Sequence, residues 1–327
     1  MSSVRAEKGL SFWLAGEMGF SLSAQKNPLP LVLLCALLWG SAFPVIKQVY
    51  AYWEGIGLQR TLPMVLLFAG IRFSIAGSGL LLLGEGLRRE LRATPWRPLA
   101  VFALAQTFLQ YLFFYEAIAV SSASLAALLV ATGSFWWMLL APIMQGSPWP
   151  TRRQWCGLAI GGAGVALAVY KPGAGAGNPL LGAALMLAAT ASGAIGIIVF
   201  QRIRPTMGAV NATGLSLLLG GLGLVAAGSS ELGAIPQMIS VPVAVATVWL
   251  AFVSATAFSV WNHLSTVYPV ALLASYRFLI PVCGVLEAQL FLSGESAGWG
   301  LLIGGALVVV SLSVARRAGS GGRGGVG

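Results

Sequence analysis

Five ionisable side chains sit where apolar sequence surrounds them: Arg72, Glu116, His263, Arg277 and Glu287. A charge at the centre of a membrane helix costs about 2.5–3.5 kcal/mol by insertion scales. Such groups must face one another, a water-filled path or the interior of a helix bundle. Arg72 lies midway along the apolar run 63–83, a depth that suits an anionic group such as a carboxylate. A structural ion pair is the alternative reading. Glu287, His263 and Glu116 are the groups that could carry a proton, and histidine ordinarily titrates near neutrality.

Helical spacing sorts further polar and aromatic residues onto stripes. Tyr276, Ile280, Cys283 and Glu287 share one side of a single helix, with Arg277 one position around. Trp249, Phe252, Thr256, Ser259 and His263 form a second stripe, with Trp261 nearby. Gln106 and Gln110 are one turn apart, beside Tyr111 and Tyr115. Trp39 and Phe43 are followed one turn later by Lys47, so that aromatics and one cation could sandwich a planar or carboxylated molecule. The candidate binding residues are therefore Trp39, Phe43, Lys47, Arg72, Gln110, Tyr115, Trp261, Tyr276 and Arg277. Packing stripes with interhelical hydrogen bonds are the competing explanation for each.

The elements that position these residues must be membrane helices. Of 327 residues, 57% are hydrophobic and only 9% charged, and the mean hydropathy is +0.86. A soluble domain carries about 25% charged residues. Ten apolar runs can be read, roughly 30–50, 63–83, 98–119, 122–145, 154–170, 179–201, 209–228, 243–265, 270–292 and 298–315. Each must satisfy its own backbone in lipid, so each is a helix. The runs are continuous and lack the alternation of a transmembrane barrel.

Charge placement orients the bundle. Of the 19 Lys and Arg, only Arg60 and Lys171 fall in outer loops, with Lys47 near the outer end of the first run. Arg72 and Arg277 lie inside runs, and the rest fall on the side of the N-terminus. The positive-inside rule then places both termini in the cytoplasm of a plasma (inner) membrane. Topology accounts for the net charge of +10 without nucleic acid. All acidic residues are Glu, and His263 is the one histidine, so neither Asp-rich nor His-based metal sites can form. No phosphate-binding loop is present, and no cofactor is implied. Cys35, Cys156 and Cys283 fall in apolar runs and read as buried thiols.

The chain repeats itself. GLAIGGAGV at 157–165 matches GLLIGGALV at 300–308 at seven of nine positions. SSASLAALL from Ser121 and YPVALLASY from Tyr268 lead into corresponding runs, and NPLL at 178–181 echoes NPLP at 27–30. Two five-helix halves result, and an odd helix count per half inverts the second. Inverted repeats are a transporter signature, because one site can open to either side. The expected fold is all-α: ten transmembrane helices as two inverted five-helix repeats, residues 29–171 and 178–316. Residues 1–28 form a cytoplasmic tail and 317–327 a disordered one. Leu10, Phe12, Trp13 and Leu14 could lie along the interface, or Met18 could be the start. Gly157 and Gly161, with Gly300 and Gly304, form GxxxG pairs expected to be structural.

Trp39-Gly40-Ser41-Ala42-Phe43 followed by Lys47 resembles the opening of the EamA-type permeases of the drug/metabolite transporter superfamily. Arg72-Phe73, Ala117 before the 121–129 segment, Pro281-Val282 and Gly294-Glu295 fit the same pattern, over about residues 28–316. The resemblance implies a cavity between the halves and export or exchange of small metabolites, with amino acids or amphipathic compounds as substrates. Here the counterparts of Glu295 and Pro281 in the first half fall near Ser147 and Ser134. A pair of chains as a homodimer is compatible with this reading. Two other classes compete: a non-transporting membrane sensor or assembly protein, and an intramembrane hydrolase with Ser134 as nucleophile and His263 as base.

Overall fold

The computed structural model describes residues 27–120, 129–130, 132–169 and 178–291, and in the last stretch residues 299, 303–304, 306–311 and 314. All regular structure among the described residues is helical. Six helices are long and apolar enough to cross a membrane: α1 (Leu29–Gly55), α2 (Leu62–Leu83), α4 (Trp96–Val120), α7 (within Pro179–Ile203), α8 (Ala209–Ala227) and α9 (Val241–Val267). Shorter helices complete the bundle: α3 (Leu87–Ala93), α5 (Gly133–Gln145), α6 (Arg152–Val169), α10 (Val270–Tyr276) and α11 (Leu279–Phe291). The expectations for residues 1–26 and for the C-terminal tail fall outside the described residues.

Three spans start with the same local chemistry. Thr61, Asn178 and Ser240 each accept a backbone N–H from the first turn of α2, α7 and α9, at 3.3, 3.1 and 3.4 Å. Proline follows within two residues of each cap. The side chain satisfies an orphan donor, and proline sits where its missing N–H costs nothing.

Small residues set how closely the helices approach. On α2, Gly70 and Gly77 face Gly221 and Gly214 of α8. A methyl group on Gly70 would stand 2.6 Å from Val225 N, and one on Gly77 would run into Leu218 N. The backbones of α2 and α8 are therefore in contact along their length. In lipid there is little hydrophobic force between helices, so such van der Waals seams drive association. A second seam joins Gly40 of α1 to Gly284 of α11, where an added carbon on Gly40 would lie 3.0 Å from Gly284 N. In the GxxxG region, Gly161 meets Phe278 and Ser311, and Gly164 meets the carbonyl of Gly304. Those glycines join the 154–170 run to the 298–315 run, across the two halves of the sequence.

One end of the bundle is basic. Arg202 Nη2 donates to Met144 O at 2.7 Å and Arg204 Nη1 to Thr266 O at 2.7 Å. Both cations thus cap the C-terminal turns of α5 and α9, where the helix dipole favours positive charge. Glu90 of α3 accepts from Asn211 Nδ2 at 2.8 Å and Gly208 N at 3.2 Å, holding the start of α8. Arg97 lies over the exposed Trp96 at this end, 5.6 Å from the ring centroid. An amphipathic aromatic beside a cation is the usual composition of a membrane interface. Cys35 and Cys283 are buried, as expected, whereas Cys156 is exposed, because its position on α6 turns away from the bundle.

The seam predicts a contrast within one helix. Gly77→Val forces backbone apart at α2–α8 and should cost about 1–3 kcal/mol. Gly79→Val, where no atom lies within 4 Å of an added carbon, should leave thermal unfolding in detergent unchanged. Equal melting temperatures for the two variants would refute the seam.

Candidate functional site

Arg72 is the eleventh residue of α2 and only 4% exposed. Its Nη2 donates to Tyr115 Oη at 2.8 Å and its Nη1 to Ser254 Oγ at 3.4 Å. The guanidinium carbon lies 4.2 Å from the Phe73 ring centroid. The Nε is buried without a partner among the described residues. Two neutral hydroxyls and a ring thus hold a full cation, on α2, α4 and α9 together.

Aromatic rings extend from this cation across the bundle. Tyr111 packs on Phe73 (centroids 4.5 Å), Tyr115 (6.0 Å) and Phe258 (6.4 Å). Trp39 contacts Phe258 edge-on at 5.3 Å and Trp261 at 5.6 Å, and Trp261 reaches Trp137 at 6.5 Å. Edge-to-face and tilted pairs at these separations are the favoured geometry. The cluster draws on α1, α2, α4, α5 and α9.

Two helices lose regularity beside it. In α4, Leu104–Leu109 form a π-helical stretch. The wider turn leaves carbonyls in need of donors, and Ser192 Oγ donates to Ala105 O at 2.8 Å. The stretch turns Gln106 and Thr107 inward. Gln106 and Asn262 exchange two amide hydrogen bonds, at 3.0 and 3.3 Å, and Asn262 Nδ2 also donates to Thr213 at 2.9 Å. Thr107 and Ser216 hydroxyls are 2.9 Å apart. This polar belt ties α4 to α8 and α9.

The second irregularity is a break. One continuous helix is expected over 270–292, but it is interrupted at Arg277–Phe278, between α10 and α11. Pro281 has no N–H to give to the carbonyl four residues earlier, which is that of Arg277. That carbonyl accepts from Ile280 N instead, at 3.1 Å. The expected common stripe of Tyr276 and Glu287 is therefore split over two segments. Arg277 lies beside Gly133 of α5, where an added methyl would stand 3.3 Å from Nη2. Tyr111 is within electrostatic reach of both Arg72 and Arg277.

The sequence-derived candidates separate accordingly. Trp39, Arg72, Tyr115 and Trp261 come together in the cluster. Tyr276 is buried in the adjoining core with Trp261 and Trp137. Gln110 lies against Gly193 of α7, at the edge of the belt. Phe43 is 40% exposed and packs on Gly284, and Lys47 is exposed, so neither lies with Trp39 against the cluster. Glu287 is buried at the α1–α11 seam, its Oε1 against Gly40 and its Oε2 without a partner among the described residues. Glu116 and His263 are half-buried. Ser134 donates its hydroxyl proton to Ala274 O at 2.8 Å, a structural bond between α5 and α10.

The expected α9 stripe is split: Trp249 and Phe252 are about 40% exposed and Thr256 and His263 half-buried, whereas Ser259 is buried, together with Ser254, Phe258, Trp261 and Asn262. Ser254, Phe258 and Asn262 were not among the candidates. Their signal was the polar and aromatic spacing of α9, whose buried face is wider than a single stripe. Tyr111 was visible only as a neighbour of Tyr115.

Residues 27–170 match the family model of the EamA-like transporter family. This segment is an EamA-like transporter domain, of the drug/metabolite transporter superfamily. A solved crystal structure of a protein is similar over 88% of this chain and 96% of its own, with a TM-score of 0.67 and 19% identity, so the two share a fold. No curated protein matches the sequence. The EamA-like segment contains Trp39, Arg72, Tyr111 and Tyr115. Ser254, Phe258, Trp261 and Arg277 come from the part of the chain beyond it.

The belt that joins these two parts should be structural. Asn262→Ala leaves Gln106 and Thr213 without buried partners and should cost about 1–3 kcal/mol. Circular dichroism melts in detergent should show the loss. An unchanged melting temperature would mean that the belt contributes nothing.

Proposed function

We propose that the chain is a secondary transporter that exports small organic metabolites from the cell by alternating access. The supporting observation is the composition of the Arg72 cluster. Its donors and rings come from both the EamA-like segment and the remainder, at mid-depth, beside a π-helical stretch and a broken helix. In lipid, irregular backbone is tolerated where it is buried in protein or lines a path. Discontinuous helices at a repeat interface are where transporters place their substrates.

In this reading the protein has ten spans in two inverted five-helix halves, residues 29–171 and 178–316. It lies in the plasma (inner) membrane with both termini in the cytoplasm, as the distribution of Lys and Arg supports. Arg72 contacts the solute, Tyr115 and Ser254 position Arg72, and Trp39 and Trp261 line the path. Glu287 is the group best placed to carry a proton, since one of its oxygens is buried without a partner.

Flux into proteoliposomes tests this. A panel of radiolabelled metabolites should include at least one that accumulates, and Arg72→Ala should reduce its flux by roughly tenfold or more, the loss of one charge-assisted contact. If a proton gradient drives the flux, Glu287→Gln should leave exchange intact while abolishing the response to the gradient. Absence of flux for every solute, in protein that is folded by circular dichroism, would contradict the proposal.

A further inference from the structure

We infer that the central site selects organic anions with an aromatic body, over the zwitterion or cation of the same size. The inference rests on the transport reading and names its substrate class. Arg72 donates to Tyr115 and Ser254 and lies over Phe73, on which Tyr111 packs, and Tyr111 is within electrostatic reach of both Arg72 and Arg277. Neither has a carboxylate in salt-bridge contact among the described residues. The hydrogen-bond partners of Arg72 are hydroxyls, and its Nε is buried and unpartnered. Glu287, the buried carboxylate, is turned to Gly40 at the α1–α11 seam.

The backbone adds to this positive field. Arg277 stands at the break between α10 and α11 (Leu279–Phe291), with its guanidinium against Gly133 of α5. Helix N-termini carry a partial positive charge. An anion entering here would meet the Arg72 guanidinium and the phenols of Tyr115 and Tyr111, with Arg277 adding to the positive field at Tyr111. An ammonium would meet two like charges with no counter-charge, in a low-dielectric setting where repulsion is strong.

The walls are aromatic. Trp39, Phe258, Trp261 and Tyr111 form a chain of rings, and Tyr111 packs on Phe73, which lies 4.2 Å from the Arg72 guanidinium carbon. Such rings suit a flat apolar body. At the basic end, a cleft of about 830 Å³ opens between α5, α7, α9 and α10, with Trp149, Arg202 and Arg204 among its lining. Val270 lines it too, and α10 runs from there two turns to Arg277. That volume falls within the range of small-molecule sites, about 300–1,000 Å³.

A charge series on one ring tests the inference: 3-phenylpropionate, phenylalanine and 2-phenylethylamine. Binding to the purified full chain is read by quenching of tryptophan fluorescence, and uptake is read in proteoliposomes. Phenylpropionate should bind at least about tenfold more tightly than phenylalanine, and the amine not at all, since each tenfold is one 1.4 kcal/mol step in affinity. Arg72→Gln and Arg277→Gln should each weaken the anion by roughly tenfold. Should those variants fail to fold, Tyr115→Phe keeps the volume and removes one hydroxyl from Arg72; it should weaken the anion by about threefold.

Binding of phenylalanine or the amine as tightly as the anion overturns the inference. So does unchanged anion binding in the arginine variants, or no binding by any of the three. Binding of the anion without flux would refute the transport reading and leave the selectivity standing. Flux of a zwitterion, insensitive to Arg277→Gln, would do the reverse.

Discussion

The charge on Arg72 governs the centre of the molecule, because a guanidinium in the middle of an apolar helix must be held without water. A charge there costs about 2.5–3.5 kcal/mol by insertion scales. Tyr115 and Ser254 supply hydroxyls at 2.8 and 3.4 Å, and Phe73 supplies its ring face. These contacts orient the cation without neutralising it. A carboxylate partner would have produced a closed structural pair. Neutral partners leave a charge that a ligand can answer, and α2, α4 and α9 must all be in place to present it.

The remaining architecture follows from bringing those helices together. The Gly70 and Gly77 seam lets α2 lie backbone to backbone against α8, so that Arg72 sits inside the bundle. The π-helical turn in α4 brings Gln106 and Thr107 onto α9 and α8, just before the segment that carries Tyr111 and Tyr115. Pro281 leaves the Arg277 carbonyl to Ile280 N and interrupts the 270–292 helix at a charged residue. Close packing by glycine therefore surrounds backbone irregularity at the site.

Much of this was legible in the sequence, and the limits have physical reasons. The apolar runs were enough to read an all-helical membrane protein, because lipid permits few alternatives. Arg72, Trp39, Tyr115 and Trp261 stood out because charged or large amphipathic residues in such runs are costly or conspicuous. Ser254 and Asn262 did not, since small polar residues are common in membrane helices and only partners reveal their role. Phe43 and Lys47 share the Trp39 stripe by spacing, yet Phe43 packs on Gly284 of a neighbouring helix and Lys47 stays exposed. The π-helical turn shifts residues by one position with no residue type to announce it. The Gly70/Gly77 seam was missed in favour of GxxxG because its spacing is seven, two turns instead of one.

Accessibility of the buried site from both membrane faces is the most direct test of the account. Ser254 is 3% exposed in this state and hydrogen-bonded to Arg72. Ser254→Cys, in a chain with Cys35, Cys156 and Cys283 replaced, can be treated with a membrane-impermeant thiol reagent from either side of sealed vesicles. The account predicts modification from each side in turn, slowed in both cases by a transported solute. Modification from one side alone, or from neither, while flux persists would contradict it.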